Sequence, residues 1–311
     1  MTVLSDRVES AAGPARTGPA AGPRLRPRPR RKSAGFDAVT PLGLTARYAT
    51  LLAVLVLTIG PMVWELSTSL KSPSEDVYTA TPQFLPQDPT LGNYDRVAQT
   101  IPIWDFAKNS VVVAVLCVGG NIIGASAAGY ALARLRFKGR RLVTGLFLAT
   151  LVLPGEVTIV SQFQTIAQFG LADTLLGVAL PSLIGTLNVL LMRNAFASIP
   201  DELEDAAVID GAGVWQRIRY IGLPSVKGTL SVVSILAFIG AWDDFLWPLL
   251  VLQDPNKLTL TVGLSYLQGQ FSADPRTIAA GAMIALLPIL VLFAALQRHF
   301  FRGVGEGAVK G

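Results

Sequence analysis

Residues 199–224 read IPDELEDAAVIDGAGVWQRIRYIGLP, and this polar stretch has long apolar segments on both sides. A stretch with this many charges lies outside a lipid bilayer, because charged side chains are costly in hydrocarbon. It also contains more alanine, aliphatic and aromatic residues than a solvated loop needs. We therefore interpret it as a surface on which another protein docks.

The pattern within this stretch predicts two short helices around a bend. Pro200 suits a first helical turn, and the acids that follow it are favourable near a helix N-terminus. Gly211 provides the backbone freedom that a turn requires. Beyond it, an apolar stripe at helical spacing predicts a second helix, which Pro224 ends. The residues of that stripe are Trp215, Ile218 and Ile221.

The order of these residues resembles the Glu-Ala-Ala loop of ABC-importer permeases, in which Asp-Gly-Ala follows three positions later and Leu-Pro about a dozen residues after that. Asp205 stands where the pattern has glutamate, which keeps the charge with one methylene less, and Glu204 beside it is a candidate to share the role. The resemblance implies an ATPase-coupling loop at about 194–228. Its residues are Glu204, Asp205, Ala206, Ala207, Asp210, Gly211, Ala212, Leu223 and Pro224. The alternative is a plain amphipathic cytoplasmic loop.

Composition places the whole chain in the membrane. Of 311 residues, 51% are hydrophobic and 15% are charged, and the mean hydropathy is +0.49, which is too apolar for a soluble domain. Cys117 and His299 are the single cysteine and histidine, so neither a disulfide framework nor a Cys/His metal site is expected. No Ser/His/Asp arrangement appears either. We therefore assign no catalytic residue and no metal ligand.

The apolar segments predict an all-α polytopic membrane protein with six transmembrane helices. Each segment has roughly the length that spans a bilayer. Their approximate limits are 47–70, 109–133, 142–166, 174–192, 229–252 and 278–297. Three regions follow from them: a disordered basic cytoplasmic tail at 1–46, a permease domain at 47–300 and a cytoplasmic C-terminal tail at 301–311.

The distribution of Lys and Arg predicts the orientation. With the N-terminus inside, 21 of these residues lie on the inner side and 5 on the outer side, and such an excess marks the cytoplasmic face. Both termini, the basic loop 134–141 and the Asp205 loop are then cytoplasmic. The basic cluster at 26–32 could bind nucleic acid or anionic lipid, but just before a span we interpret it as fixing orientation, with no nucleic-acid partner.

Two further motifs resemble the sugar permeases of the maltose-transporter type. Gly170-Leu-Ala-Asp-Thr174 matches the opening of their fourth span, and the chain ends in their closing Gly-Ala-Val-Lys-Gly. A third match is Trp242, Asp243, Asp244 and Phe245, with Asp243 in place of the usual asparagine. Because acids inside a span are costly, these residues predict either a water-filled translocation pathway or a buried structural network. The resemblance covers about 47–311 and points to the smaller permease subunit of this carbohydrate-uptake family.

The resemblance implies the ABC type I importer fold, a bacterial inner (cytoplasmic) membrane location and an alternating-access mechanism. It also implies four partners: an ABC ATPase dimer that binds the ATP, a sister permease, an extracytoplasmic solute-binding protein and a sugar. No phosphate loop occurs in this chain, because no Gly-Lys-Ser/Thr follows the glycines near Gly303, so no cofactor is expected here. The alternative is an ion-coupled secondary transporter, for which Asp243, Asp244 and Glu156 are the candidate ion site. A membrane enzyme ranks third.

Overall fold

The computed structural model describes residues 41–78, 83–268 and 274–308. The chain divides into two units, 1–56 and 57–311. Of the first unit, residues 41–56 are described, and they are helical. The described part of the chain contains helices and connecting turns and no strand, as an all-α protein requires. The tail at 1–40 and the last three residues of the closing motif, 309–311, lie outside the described residues.

The helices follow one another in simple order, and two of them contain a wider π-helical turn. Their bounds are α1 Pro41–Ser69, α2 Gly92–Thr100, α3 Ile103–Gly120, a π turn Asn121–Ala125, α4 Ser126–Arg134, α5 Arg140–Thr150, α6 Gly155–Gln168, α7 Leu175–Ala179, α8 Thr186–Ala197, α9 Asp201–Ile209, α10 Val214–Arg217, a π turn Ile218–Gly222, α11 Leu223–Ser225, α12 Lys227–Asp243, α13 Leu246–Val251, α14 Leu260–Ser265 and α15 Pro275–Ala308. Short 3-10 turns occur at Leu180–Ser182 and Pro255–Lys257.

Three helices are long and apolar enough to cross a membrane, namely Gly43–Ser69, Ile103–Arg134 and Pro275–Gln297. Three bent pairs also pass this test: α5 with α6 at 105°, the α7 region with α8 at 45°, and the 214–225 segment with α12 at 86°. The predicted number of six spans holds when each bent pair counts as one. The sequence did not predict that three of them would be bent.

Several predicted boundaries differ from the observed ones. Helix α1 begins at Pro41, so residues 41–46, which we had assigned to the disordered tail, are helical. A proline tolerates this place because its missing N–H would have no partner in the first turn. Helix α3 begins at Ile103, directly after Pro102, and not at residue 109. At the other end, α15 continues past residue 300 to Ala308, so most of the predicted C-terminal tail is also helical.

The prolines inside the predicted spans have two different effects. Pro61 and Pro288 lie inside continuous helices, as a bundle allows. Pro154 instead separates α5 from α6, and Pro181 lies in a 3-10 turn before α8. Proline removes a backbone hydrogen bond and clashes with the carbonyl four residues earlier, so each of these two positions ends a helix.

The core of the second unit consists of two clusters at opposite ends of the helices. One contains buried residues of α2, α3 and α12–α15, with Trp242 and Trp247 among them. The other joins α4, α8 and the segment after α9 around Tyr130 and Phe196, whose rings meet edge to face at 5.4 Å. Small residues allow the close approach, because a Cβ added at Gly129 would lie 2.7 Å from the Met192 side chain.

The alternating segment 258–262 is neither of the structures that its pattern suggested. We had predicted a short strand or a packed loop, but α14 begins at Leu260. Leu258, Leu260 and Val262 are all buried. Leu258 precedes the helix, so three alternate residues can be buried together without a strand. The period of two was too short a run to identify the element.

Candidate functional site

The predicted bend at Gly211 is present between α9 and α10. Gly211 has φ +78°, and a Cβ added there would meet nothing within 4 Å. The Ala212 N–H donates to the Ala207 carbonyl at 2.9 Å, and the Gly211 N–H donates to that of Val208 at 3.0 Å. These two bonds form a Schellman motif, which ends α9 and turns the chain into the second short helix.

The helix pair α9–α10 exposes a largely apolar face. Leu203, Val208 and Ile209 are exposed on or at the end of α9, and Ile209 is 85% accessible. Trp215 is 73% accessible on α10, and Asp205 lies among the exposed residues of α9. A contiguous exposed apolar patch with acids beside it is typical of a protein-binding surface. We call this set of residues (Leu203, Asp205, Val208, Ile209, Asp210, Val214, Trp215 and Tyr220) the docking face.

The predicted stripe of the second helix is only partly correct. Ile218 is buried against Phe196 and its neighbours, and Ile221 is half-buried. Trp215 does not belong to the stripe, because its side chain is exposed. The reason lies in the π turn Ile218–Gly222, whose wider turn breaks the 3.6-residue spacing from which we predicted the stripe. The Leu-Pro pair lies in α11, and this helix ends at Ser225, one residue beyond Pro224.

Glu204 and Asp205 occupy opposite environments although they are neighbours in sequence. Glu204 is buried, and its carboxylate accepts a hydrogen bond from the Tyr130 hydroxyl at 2.8 Å and another from the Arg217 guanidinium at 3.1 Å. Asp205 is exposed. Ala207 is buried and Ala206 is exposed in the same alternation. Glu204 therefore links three elements, α4, α9 and α10, while Asp205 is available to a partner.

Arg134, the last residue of α4, holds the connection between α8 and α9. Its guanidinium donates to the Phe196 carbonyl at 2.7 and 3.0 Å, to the Ile199 carbonyl, and to the Asp201 carboxylate. The two carbonyls lie at and just after the end of α8, where backbone acceptors lack helical partners. With Glu204, this arginine fastens α9 to the transmembrane helices at both of its ends.

The motif Trp242–Phe245 lies at a break between α12 and α13. The Trp242 indole N–H donates to the Ala285 carbonyl at 3.0 Å, and the Trp242 carbonyl accepts from the Thr261 hydroxyl at 2.8 Å. The Asp244 carboxylate accepts from the Trp247 N–H at 3.3 Å, near the start of α13. Trp242 and Asp244 thus take part in a structural network. Asp243 and Phe245 are exposed, so these two are the residues that could face a pathway.

The Gly170–Thr174 motif builds a clamp between two loops, a role that the sequence did not suggest. Asp173 has φ +56°, and its carboxylate accepts from the N–H groups of Gln253 and Asp254 and from Lys257 at 2.8 Å. The hydrogen bond from Asp254 and that from Lys257 lower the pKa of Asp173 to about 2. Thr174 then caps α7 by accepting from the Gly177 N–H. Positive φ at an aspartate is uncommon and was the available signal.

No group of three or more His, Cys, Asp or Glu side chains in the described ranges could hold a metal ion. Glu156, the third acid of the predicted ion site, is exposed in the first turn of α6. The described geometry therefore consists of a docking face, two fastening groups and a hydrogen-bonded break in the fifth span.

Known proteins share this sequence and fold. A family model described as binding-protein-dependent transport system inner membrane component matches residues 120–306. The arabinooligosaccharides transport system permease protein of Halalkalibacterium halodurans is 33% identical over 229 residues, which are 73% of this chain and 82% of that protein. The diacetylchitobiose uptake system permease protein DasC of Streptomyces coelicolor is 32% identical over 263 residues, which are 83% of this chain and 95% of that protein.

Among solved structures, a chain from a bacterial ABC transporter involved in the import of the acidic polysaccharide alginate has the same fold. It matches with a TM-score of 0.72 and 24% identity, over 83% of this chain and 96% of that chain. The family match and the identities to the two permeases cover most of the membrane-spanning region. The chain therefore belongs to the family of binding-protein-dependent transport system inner membrane components, the permease subunits of ABC importers.

Proposed function

We propose that this chain is one of the two permease subunits of an ATP-driven importer for sugars or oligosaccharides. The names of its relatives support the substrate class, since one is a permease for arabinooligosaccharides and another for diacetylchitobiose. The sister permease forms the other half of the pathway, and a solute-binding protein delivers the sugar from outside. ATP is bound and hydrolysed by a separate ABC ATPase dimer, so this chain needs no cofactor.

The observation that carries the proposal is the docking face on two helices that are fastened to the membrane-spanning helices. A solvated loop would have no need of an exposed Ile209 and Trp215. Nor would it need the buried contact of Glu204 with Tyr130 of α4 or the bonds from Arg134. An apolar face held rigidly on a transmembrane helix is the arrangement expected of a surface that passes motion from a partner.

The fastening groups suggest how ATPase closure would reach the pathway. A displacement of α9 by the ATPase pulls on α4 through Glu204 and Arg134, and on α8 through the chain connection at Ile199. The 214–225 segment joins α12 at 86° with a single residue between them, so movement of α10 is also passed to α12. Helix α12 ends at Asp243, beside the exposed residues of the break. The spans then open alternately to the two sides.

The orientation follows from the same proposal. The ATPase is cytoplasmic, so the docking face, both termini and loop 134–141 are placed in the cytoplasm, in agreement with the excess of Lys and Arg on that side. The clamp around Asp173 and the segment 71–102 then lie outside, where the binding protein arrives. The chain functions as a transport subunit without chemistry of its own.

Replacing Gly211 with aspartate tests the proposal. The substitution forces a side chain into a positive-φ position, which alone costs about 1 kcal/mol or more, and it adds a charge and bulk beside Asp205 on the docking face. No span is altered, so the variant should reach the membrane in normal amount. We expect it to lose the ATPase subunits during detergent purification and to lose uptake of the sugar.

Gly139 provides a matched control for backbone strain. It also has positive φ, at +87°, with nothing within 4 Å of an added Cβ, and it lies outside the docking face. Gly139→Asp therefore carries the same strain and the same added charge in the neighbouring loop. It should keep the ATPase bound. Retention of the ATPase and normal uptake in Gly211→Asp would show that this face does not couple the two subunits.

A further inference from the structure

A basic cavity lies beside the docking face, between loop 134–141, helix α5 and helix α8. Its volume is about 740 Å³, and its lining includes Arg136, Arg140, Arg141, Arg193 and Thr144. Four guanidinium groups thus surround one space. No carboxylate lines it.

The arginines of this cavity lack anionic partners in the described part of the chain. None of the four forms an ion pair there. Arg140 donates to the Ala133 carbonyl at 3.0 Å, and Arg193 donates to the Asn194 side chain at 3.2 Å. The Nε of Arg193 is buried and has no acceptor. A buried donor without a partner is costly, so the site is incomplete without an acceptor from elsewhere.

The surroundings of the cavity are suited to a ligand with an apolar part. Leu148 belongs to the lining, and Leu142 and Leu146 on the same helix, α5, are more than half exposed. The cavity lies at the same end of the helices as the docking face, because Arg134, which begins this loop, donates to the Ile199 carbonyl before α9. A charged space next to an apolar helix surface lies where headgroups meet hydrocarbon.

We infer that this cavity binds the headgroup phosphate of an anionic phospholipid, with the acyl chains along the exposed face of α5. Guanidinium groups match phosphate oxygens in charge and geometry. Basic pockets between transmembrane helices on the cytoplasmic side are suited to anionic headgroups. A free phosphate ion would fill a small part of 740 Å³ and would leave the apolar surface uncovered. The inference goes beyond the proposed transport role and does not depend on the substrate.

Lipid exchange followed by native mass spectrometry tests the inference on the full-length chain. The purified protein is stripped of lipid and supplied with phosphatidylglycerol or with phosphatidylcholine of the same acyl chains. We expect retention of phosphatidylglycerol on the wild type and none of phosphatidylcholine. Each basic residue contributes about fivefold to anionic lipid binding, so Arg140→Gln with Arg193→Gln should weaken binding about 25-fold.

Two matched variants separate charge at the cavity from charge in general. Arg140→Lys with Arg193→Lys keeps the charge and should bind within a few-fold of the wild type. Lys138→Gln with Lys227→Gln removes two exposed charges from the same side, and neither residue lines the cavity. This control should bind like the wild type. Equal weakening in both glutamine variants would overturn the inference, because it would show a diffuse surface effect.

The source of the phosphate is tested by competition. Inorganic phosphate and glycerophosphate are added at increasing concentration to the phosphatidylglycerol complex. The proposal expects the lipid to remain bound at concentrations of either ion a thousandfold above that of the lipid. Equal binding of the lipid and the free ions, or equal retention of phosphatidylglycerol and phosphatidylcholine, would overturn it. The readout does not involve uptake, so its failure would leave the proposed function untouched.

Discussion

Removal of the Glu204 carboxylate should detach α9 from the transmembrane helices. The carboxylate is the common acceptor for Tyr130 of α4 and Arg217 of α10. In Glu204→Ala both donors remain in place. The Tyr130 side chain is completely buried, and the Arg217 side chain is 17% exposed, so neither can be fully hydrated after the change.

The size of the effect follows from these two groups. Removing one partner of a buried ion pair costs about 3–5 kcal/mol, and the residual exposure of Arg217 puts this site at the lower end, about 3 kcal/mol. An unpaired buried hydroxyl adds about 1–3 kcal/mol. We expect a total loss of about 4 kcal/mol, which is about 10 °C in melting temperature for a domain of this size. Tyr130→Phe alone should cost about 2 kcal/mol.

The chain supplies its own probe for the measurement. Cys117 is its single cysteine and is buried in α3, so a thiol-reactive fluorogenic dye reports unfolding in detergent. Melting curves of the two single variants and the double variant form a mutant cycle. Once Glu204 is absent, Tyr130→Phe removes a hydroxyl that has lost its acceptor and should cost nothing. The cycle should therefore give a coupling energy of about 2 kcal/mol.

Glu202 is the matched control for this cycle. It is exposed on the same helix, and Glu202→Ala removes the same charge from α9. It should melt within about 1 °C of the wild type, because surface substitutions seldom exceed about 0.5 kcal/mol. Additive effects of Tyr130→Phe and Glu204→Ala, or equal melting of Glu202→Ala and Glu204→Ala, would refute the structural role assigned to Glu204.

Three further predictions concern topology, energy source and the outer clamp. In a Cys117→Ser background, a cysteine at Asp88 should react with an impermeant thiol reagent on intact cells and one at Val214 should not; labelling at Val214 from outside would contradict the six-span orientation. Asp243→Asn should transport normally, and uptake should survive collapse of the proton gradient while ATP is maintained; uptake that stops with the gradient would favour an ion-coupled carrier. Because the pKa of Asp173 is lowered to about 2, mainly by the Asp254 N–H and by Lys257, its carboxylate stabilises the fold above about pH 4, and this contribution is lost as the pH falls toward 2. The difference in circular-dichroism melting between the wild type and Asp173→Asn should therefore be present at pH 7 and vanish near pH 2; a difference that stays constant over this range would contradict the clamp.

The elements that the sequence predicted well are those with a local cause. The bend at Gly211 depends on a backbone conformation that glycine adopts readily, and it is present with φ +78°. The apolar segments were found because bilayer thickness fixes their length. Their number agrees with three long helices and three bent pairs.

The features that the sequence did not predict depend on distant parts of the chain. Asp173 and Lys257 are 84 residues apart, and the clamp appears only when their loops meet. Glu204 and Tyr130 are 74 residues apart, and neither residue alone indicates burial. The π turn Ile218–Gly222 changed the face of Trp215, and nothing in the local spacing announces a π turn. Long-range contacts and irregular turns therefore account for most of the differences.

The adjacent acids Glu204 and Asp205 show how the two roles of this loop are separated. Neighbouring residues on a helix point about 100° apart, so one of them can face the transmembrane helices while the other faces a partner. Glu204 already uses its carboxylate for Tyr130 and Arg217, and it is buried. It is therefore not free to contact an ATPase, and the partner contact falls to Asp205, whose side chain is one methylene shorter than the glutamate of the resembling loop. A shorter acid at that place requires the partner to approach closer, and the exposed Ala206 next to it leaves room for such an approach.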